Sequence, residues 1–349
     1  MPAMVGAGRL PVFVATLAAV ALGIGATLLD TVNGSAARAS RPLRVALVFD
    51  LIGPQSAISR PSLPGLKRAI DTLGVQGTTI TPTVKAGLAA SFFSAARTGN
   101  DLVITIGALA LEDADRAARS FPQTRFAAVD GSVSQLSARR KNLAGFRFRD
   151  EEAGYLAGYL AALMEKRRAG RHVVSTIGGI PVPPVDRFIA GFRAGARRAD
   201  PNVTLLNAYT NDFLDPARCR RVALGQIARG SGVVFPVAGG CGLGALDAAR
   251  EHHVWGIGVD SDQSFLGPHI LTSAVKRWDV AVYSAIKAVV DGSYRGGTDT
   301  VLSLRDNGVA LGKISPKVPR QVLVRVESVR RDIVAGRVRG IPTTVGGKS

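Results

Sequence analysis

Six apolar runs in this chain stop abruptly at an aspartate or a glycine. They are LRVALVFD, ending at Asp50; DLVITIGALAL, turning at Gly107; RFAAVDGS, at Asp130; HVVSTIGGI, at Gly178; GVVFPVAGGCG, at Gly239; and VWGIGVDSDQ, at Asp260. Alanine- and arginine-rich amphipathic stretches separate most of them, so the pattern predicts repeated βα units and a mostly parallel α/β sheet. In an open parallel sheet the carboxyl ends of the strands frame the ligand crevice. One aspartate at a strand end reads equally well as a helix N-cap or a turn former. Their recurrence predicts two sheets facing each other across a cleft. A length of 349 residues also suits two lobes better than one core.

The N-terminus is of another kind. Arg9 precedes an uncharged apolar stretch from Pro11 to Leu29, and Ala37-Arg38-Ala39 before Ser40 fits a small-x-small cleavage site. Residues 1–39 read as an export signal peptide, or as a membrane anchor just long enough to span a bilayer. The cleavage site favours removal. No cysteine follows the apolar stretch, so the expectation is an extracytoplasmic protein, secreted or anchored by this segment, and not a lipoprotein. Export permits a disulfide. Cys219, near a helix start, and Cys241, just after the next strand, either pair at the carboxyl edge of the sheet or are two unrelated small core residues.

The net charge of +18 comes largely from arginines scattered over predicted helix faces. Nucleic-acid binding needs a clustered stripe or a reading motif, and neither is visible; adhesion to an anionic membrane or cell wall is the simpler reading. The run Gly240-Cys241-Gly242-Leu243-Gly244-Ala245 follows a strand and precedes Asp260 in the manner of a dinucleotide fingerprint. No His–Asp or Tyr–Lys constellation accompanies it, and the four histidines lack metal-ligand spacing. A nicotinamide-dependent oxidoreductase is thus the minor alternative; the chain reads as a non-enzyme with no cofactor.

The segments GYLAGYLAALMEK, IGGIPVPPVDRFIAGFRAGARRADP, VVFPVAGGCGLGALDAA, IGVDSDQ and ILTSAVKRWDVAVYSAIK follow one another in that order. Together they resemble the basic membrane protein family of extracytoplasmic receptors, the nucleoside-binding receptors of ABC importers. The resemblance runs from about Arg44 to about Gly340. It implies the type I periplasmic-binding fold, in which three crossovers join two lobes around a ligand cleft. The expected division puts residues 40–147 and about 268–299 in the first lobe, and 148–267 and about 300–341 in the second. The resemblance further implies a small-molecule ligand, nucleoside-like or sugar-like, an ABC permease as partner, and a monomer. A ligand-sensing or cell-envelope module of the same fold is the alternative role.

Carried over residue by residue, Asp260 would accept hydrogen bonds from a ribose diol, since a carboxylate can take two hydroxyls at once. Lys276 would donate to a hydroxyl and offset the buried acid. Phe235 is the expected stacking ring, unless it is a core phenylalanine. Gly239 and Gly240 would let backbone approach the ligand, and Asp130 would face the cleft from the first lobe. Asp50 and Ser59, in the first loop, complete the expected set. That loop, DLIGPQSAISRPSLPG, departs from the family's pattern: its acidic pair and its Phe-Asn are missing, and with them the usual stacking ring and base-reading amide.

Overall fold

The computed structural model describes residues 41–83 and 87–346; the expected export segment lies outside them. The first sheet holds β1 (Arg44–Val48), β2 (Gln76–Ile80), β3 (Leu102–Ile106), β4 (Arg125–Val129), β5 (Leu143–Phe148) and β11 (Asp299–Leu302), in the order β11-β5-β4-β3-β1-β2. The second holds β6 (Val173–Gly178), β7 (Thr204–Tyr209), β8 (Val233–Val237), β9 (Trp255–Asp260), β10 (Ile270–Lys276) and β12 (Val309–Leu311), in the order β12-β10-β9-β8-β6-β7. All pairings are parallel except that of β12 with β10. Position by position the two orders match, so β4 of one sheet corresponds to β9 of the other. Central strands such as Leu102–Ile106 are buried throughout, because helices cover both faces of a parallel sheet.

The chain passes between the sheets three times: after Phe148, after Lys276 and after Leu302. The second passage falls at Arg277, not near residue 268. The run Ile270–Lys276 pairs with β9 and so belongs to the second sheet, while the helix after it packs against β3 and β4 of the first. Sequence shows β10 as a strand followed by a helix but carries no signal for which neighbour that strand selects.

Nine α-helices occur among the described residues: α1 (Leu63–Leu73), α2 (Gly87–Arg97), α3 (Leu111–Ser120), α4 (Asp150–Glu165), α5 (Pro183–Ala199), α6 (Pro216–Ala228), α7 (Cys241–Glu251), α8 (Trp278–Val290) and α9 (Arg320–Val334). A disulfide joins Cys219 in α6 to Cys241 at the start of α7, with Cα atoms 5.5 Å apart. The α4–α5 pair packs backbone against backbone. A Cβ on Gly154 or Gly158 of α4 would collide with the carbonyls of Phe188 and Phe192 in α5. A Cβ on Gly191 or Gly195 of α5 would collide with those of Glu151 and Tyr155. The small residues in GYLAGYL and AGFRAG thus let two helix backbones touch, and this contact brings the first turns of α4 and α5 together. Gly158→Ala has only backbone to displace, so it is expected to lower stability by about 3 kcal/mol, the top of the overpacking range. The shift of the urea midpoint measures it; a loss well under 1 kcal/mol would mean that the helices slide apart cheaply.

Candidate functional site

Asp130 follows β4 and Asp260 ends β9, the corresponding strands of the two sheets. Both adopt left-handed backbone conformations, with φ of 68° and 66°. Few non-glycine residues do so, and aspartate is among those that tolerate it. The two sharp strand ends turn their carboxylates toward one ammonium. Lys276, the last residue of β10, places Nζ 2.8 Å from Asp130 Oδ2, 3.5 Å from Asp150 Oδ1 and 3.6 Å from Asp260 Oδ1. Asp150 opens α4, and its Oδ2 accepts from Arg187 Nε of α5 at 2.9 Å. A single buried cation therefore links a carboxylate of the first sheet to two on the side of the second. The rings of Phe148, Phe188 and Trp278 close around the ammonium at 5.7, 5.3 and 5.3 Å from their centroids, within cation–π range.

Burial sets the electrostatics. Asp150 is fully buried, and desolvation raises its carboxyl from 3.8 to about 7, with Lys276 and Arg187 pulling against that rise. Desolvation also raises Asp260, again opposed by Lys276. Burial alone would discharge Lys276; the three carboxylates outweigh it and hold the ammonium charged, with its pKa raised. Such clusters are costly unless every charge is matched, and here two carboxylate oxygens lack a hydrogen bond among the described residues: Asp150 Oδ1, which has only the Lys276 ammonium at 3.5 Å, and one oxygen of Asp130. Asp130 Oδ1 is buried without a hydrogen-bond partner among the described residues, as is Trp278 Nε1. A cavity of about 150 Å³ opens beside Asp130, lined by Leu109, Ser132 and Arg147 from the first sheet's side and by Pro183 and Arg187 from the second's. Pockets for whole ligands are usually above about 300 Å³, so a solute of nucleoside size requires the sheets to part.

Of the residues expected at the site, the structure brings together Asp130, Asp260 and Lys276. Phe235 lies elsewhere: it is fully buried, with its ring 5.2 Å from that of Phe192 and 6.2 Å from that of Phe188. It is a core residue one layer behind the cluster, stacked on Phe192 and in a T-shaped contact with Phe188. Gly239 and Gly240 approach the backbone carbonyl of Phe213, whose oxygen also accepts from Cys241 N at 3.0 Å. Asp50 and Ser59 organise their own loop. Asp50 Oδ1 accepts from the amides of Ile52 and Gly53 at 3.0 and 2.9 Å, and Ser59 Oγ accepts from Asp50 N at 3.1 Å.

Three residues of the neighbourhood were not legible as site residues. Asp150 reads from sequence as one of three acids favouring a helix dipole. Arg187 reads as one helix arginine among many. Their pairing spans 37 residues and depends on the glycine contact of α4 with α5. Phe213 is an aromatic near the carboxyl edge of the second sheet, as is Tyr209 at the end of β7; it is half-buried with its ring edge against Gly179. The run Phe213-Leu214-Asp215-Pro216, an aromatic just before a helix start, is the signal that could have found it.

Two sheets of the same strand order, with a buried polar cluster joining their carboxyl edges, define a solute-binding protein of the periplasmic type. The family of PnrA-like ABC transporter substrate-binding proteins matches residues 67–339, and the chain belongs to it. An uncharacterized lipoprotein of Pyrococcus abyssi is 31% identical over 284 residues, 77% of this chain and 69% of that one. The ABC transporter nucleoside-binding protein BmpA of Lactococcus lactis is 29% identical over 267 residues, 71% of this chain and 73% of its own. Among solved structures, an ABC transporter solute-binding protein from Aeropyrum pernix superposes with a TM-score of 0.73 at 26% identity, covering 86% of this chain and 94% of that one. Proteins of this family bind small molecules, work with ABC transporters and are not enzymes. The fingerprint-like run at Gly240 does follow β8 and lead into α7, but Asp260 engages Lys276.

One expectation is overturned. The sequence argues against a lipoprotein, whereas relatives such as that of Pyrococcus abyssi are named lipoproteins. A missing cysteine after one apolar stretch is a property of those residues alone and is too narrow a ground for excluding a lipid anchor. The extracytoplasmic location fits the relatives.

Proposed function

We propose that the chain is an extracytoplasmic receptor whose two sheet-bearing lobes close on a nucleoside-like or sugar-like solute, and that it delivers this solute to an ABC permease as a monomer. The observation that carries the reading is the Lys276 ammonium shared between Asp130 on one side of the cleft and Asp260 and Asp150 on the other, with Asp130 Oδ1 buried and unpaired. Ribose and pyranose hydroxyls are both donors and acceptors. Asp130 and Asp260 accept from them, and Lys276 donates to a hydroxyl oxygen. Because these groups come from both lobes, the polyol is the element that makes closure favourable. Phe213 offers a ring at the same edge for a planar base, with Gly239 and Gly240 keeping its loop close to β8. The three passages between the sheets serve as the hinge. The Lactococcus relative's name supports a nucleoside.

Calorimetry on refolded, ligand-free protein against nucleosides and pentoses tests this. Saturable binding of one solute per chain is expected for at least one compound. Silence across the panel sinks the proposal.

A further inference from the structure

Resting on that reading, we infer that the solute carries an oxyanion, a carboxylate or a phosphate, and that Arg147 binds it beside the hydroxyl held by Asp130. Arg147 lies in β5 between Phe146 and Phe148, whose rings belong to the hydrophobic core. Alternation along the strand sends the guanidinium to the opposite face. The carbonyl of Phe146 accepts the amide of Asp130 at 2.7 Å, so Arg147 stands one residue beyond the point where β5 fixes Asp130. Both side chains line the same cavity, with Arg187 on its far wall.

The three cations near this cavity are not equivalent. Lys276 lies within 3.6 Å of three carboxylates, and Arg187 bonds Asp150 at 2.9 Å. Arg147 makes no ion pair and no side-chain hydrogen bond among the described residues. It is half-buried, and no protein acceptor among the described residues meets its fork of donors. A guanidinium fork matches a carboxylate or phosphate in two parallel bonds, and charge-assisted bonds are about twice as strong as those between neutral partners. Close by is Asp130 Oδ1, which is unpartnered on a residue only 8% exposed. An acceptor that needs a hydroxyl thus lies beside a donor fork that needs an anion, and a sugar acid or a sugar phosphate carries both groups. The net charge of +18 attracts such solutes at long range and repels cationic ones.

Calorimetry with matched pairs decides the matter: galactose with galacturonate, ribose with ribose 5-phosphate, and inosine with inosine 5′-monophosphate. In at least one pair the anion is expected to bind about tenfold or more tightly than its neutral partner, and Arg147→Gln to remove that advantage while leaving the neutral partner within about twofold. The first pair and the other two separate a carboxylate source from a phosphate source. In the wild type, the anion's affinity should fall between about 20 and about 300 mM salt while the neutral partner's holds; this measurement does not depend on the variant folding. Neutral members binding as tightly as their anions would overturn the inference and leave the polyol site standing. So would an anion advantage that survives Arg147→Gln, or an equal loss by inosine in that variant, which would mean that a base carbonyl is read. No binding by any member would overturn the polyol reading and this inference with it.

Discussion

Lys276→Met is expected to lower the stability of the folded chain by about 3–5 kcal/mol at pH 8, the cost of leaving buried charge unmatched. The substitution keeps an unbranched side chain of similar bulk among the rings of Phe148, Phe188 and Trp278, so overpacking and cavity effects stay small. What it removes is the one ammonium serving Asp130, Asp150 and Asp260. The pH dependence identifies the cause. Burial already raises the Asp150 carboxyl from 3.8 to about 7 and raises that of Asp260, with Lys276 opposing both. Without the lysine both must rise further. A carboxyl whose folded-state pKa lies above its unfolded value binds more protons folded than unfolded. Its stabilising contribution is complete below the unfolded pKa, about 3.9, and is lost as pH climbs through the folded one. The gap between wild type and variant should therefore be small near pH 4 and widen toward pH 8. Urea unfolding at the two pH values measures it. An equal gap at both would show that the lysine acts through packing.

The fold was more legible than the site, for a physical reason. Strand runs and their abrupt ends are local: Asp130 and Asp260 announce themselves because a parallel strand must turn into its next segment within a residue or two. Lys276 is not one of those strand ends and comes instead from the resemblance of its segment ILTSAVKRWDVAVYSAIK to the family. The partners that complete the cluster are not local. Asp150 meets Lys276 only because β10 joins the second sheet, on the same side as α4. Arg187 meets Asp150 only because four glycines let α4 and α5 touch. Phe235 shows the converse error. An aromatic shortly before a glycine turn looks like a ligand platform, but it lies within β8, fully buried, stacked on Phe192 and in a T-shaped contact with Phe188. In a buried strand the neighbouring helix decides which aromatic is free, and sequence spacing does not record it.

Asp260→Ala should separate binding from stability in the opposite sense to Lys276→Met. The Asp260 side chain is 19% exposed and is the most distant of the three carboxylates from Lys276, at 3.6 Å. When it is lost, the ammonium keeps Asp130 at 2.8 Å and Asp150 at 3.5 Å. The stability change should stay within about 1 kcal/mol, as for a partly exposed pair. Binding has no such reserve. A carboxylate accepting two hydroxyls supplies two hydrogen bonds to a charged group, each worth about 1.5–3 kcal/mol. Their joint loss corresponds to roughly a hundredfold to ten-thousandfold weaker affinity, since every 1.4 kcal/mol is a factor of ten. Asp260→Asn keeps one acceptor oxygen and should fall between the wild type and alanine. The measurement is calorimetry of both variants against whichever solute the wild type binds, with urea midpoints taken in parallel. If Asp260→Ala binds within about threefold of the wild type while keeping its midpoint, the solute does not touch this carboxylate. The strand end at Asp260 would then serve only to hold Lys276 toward Asp130.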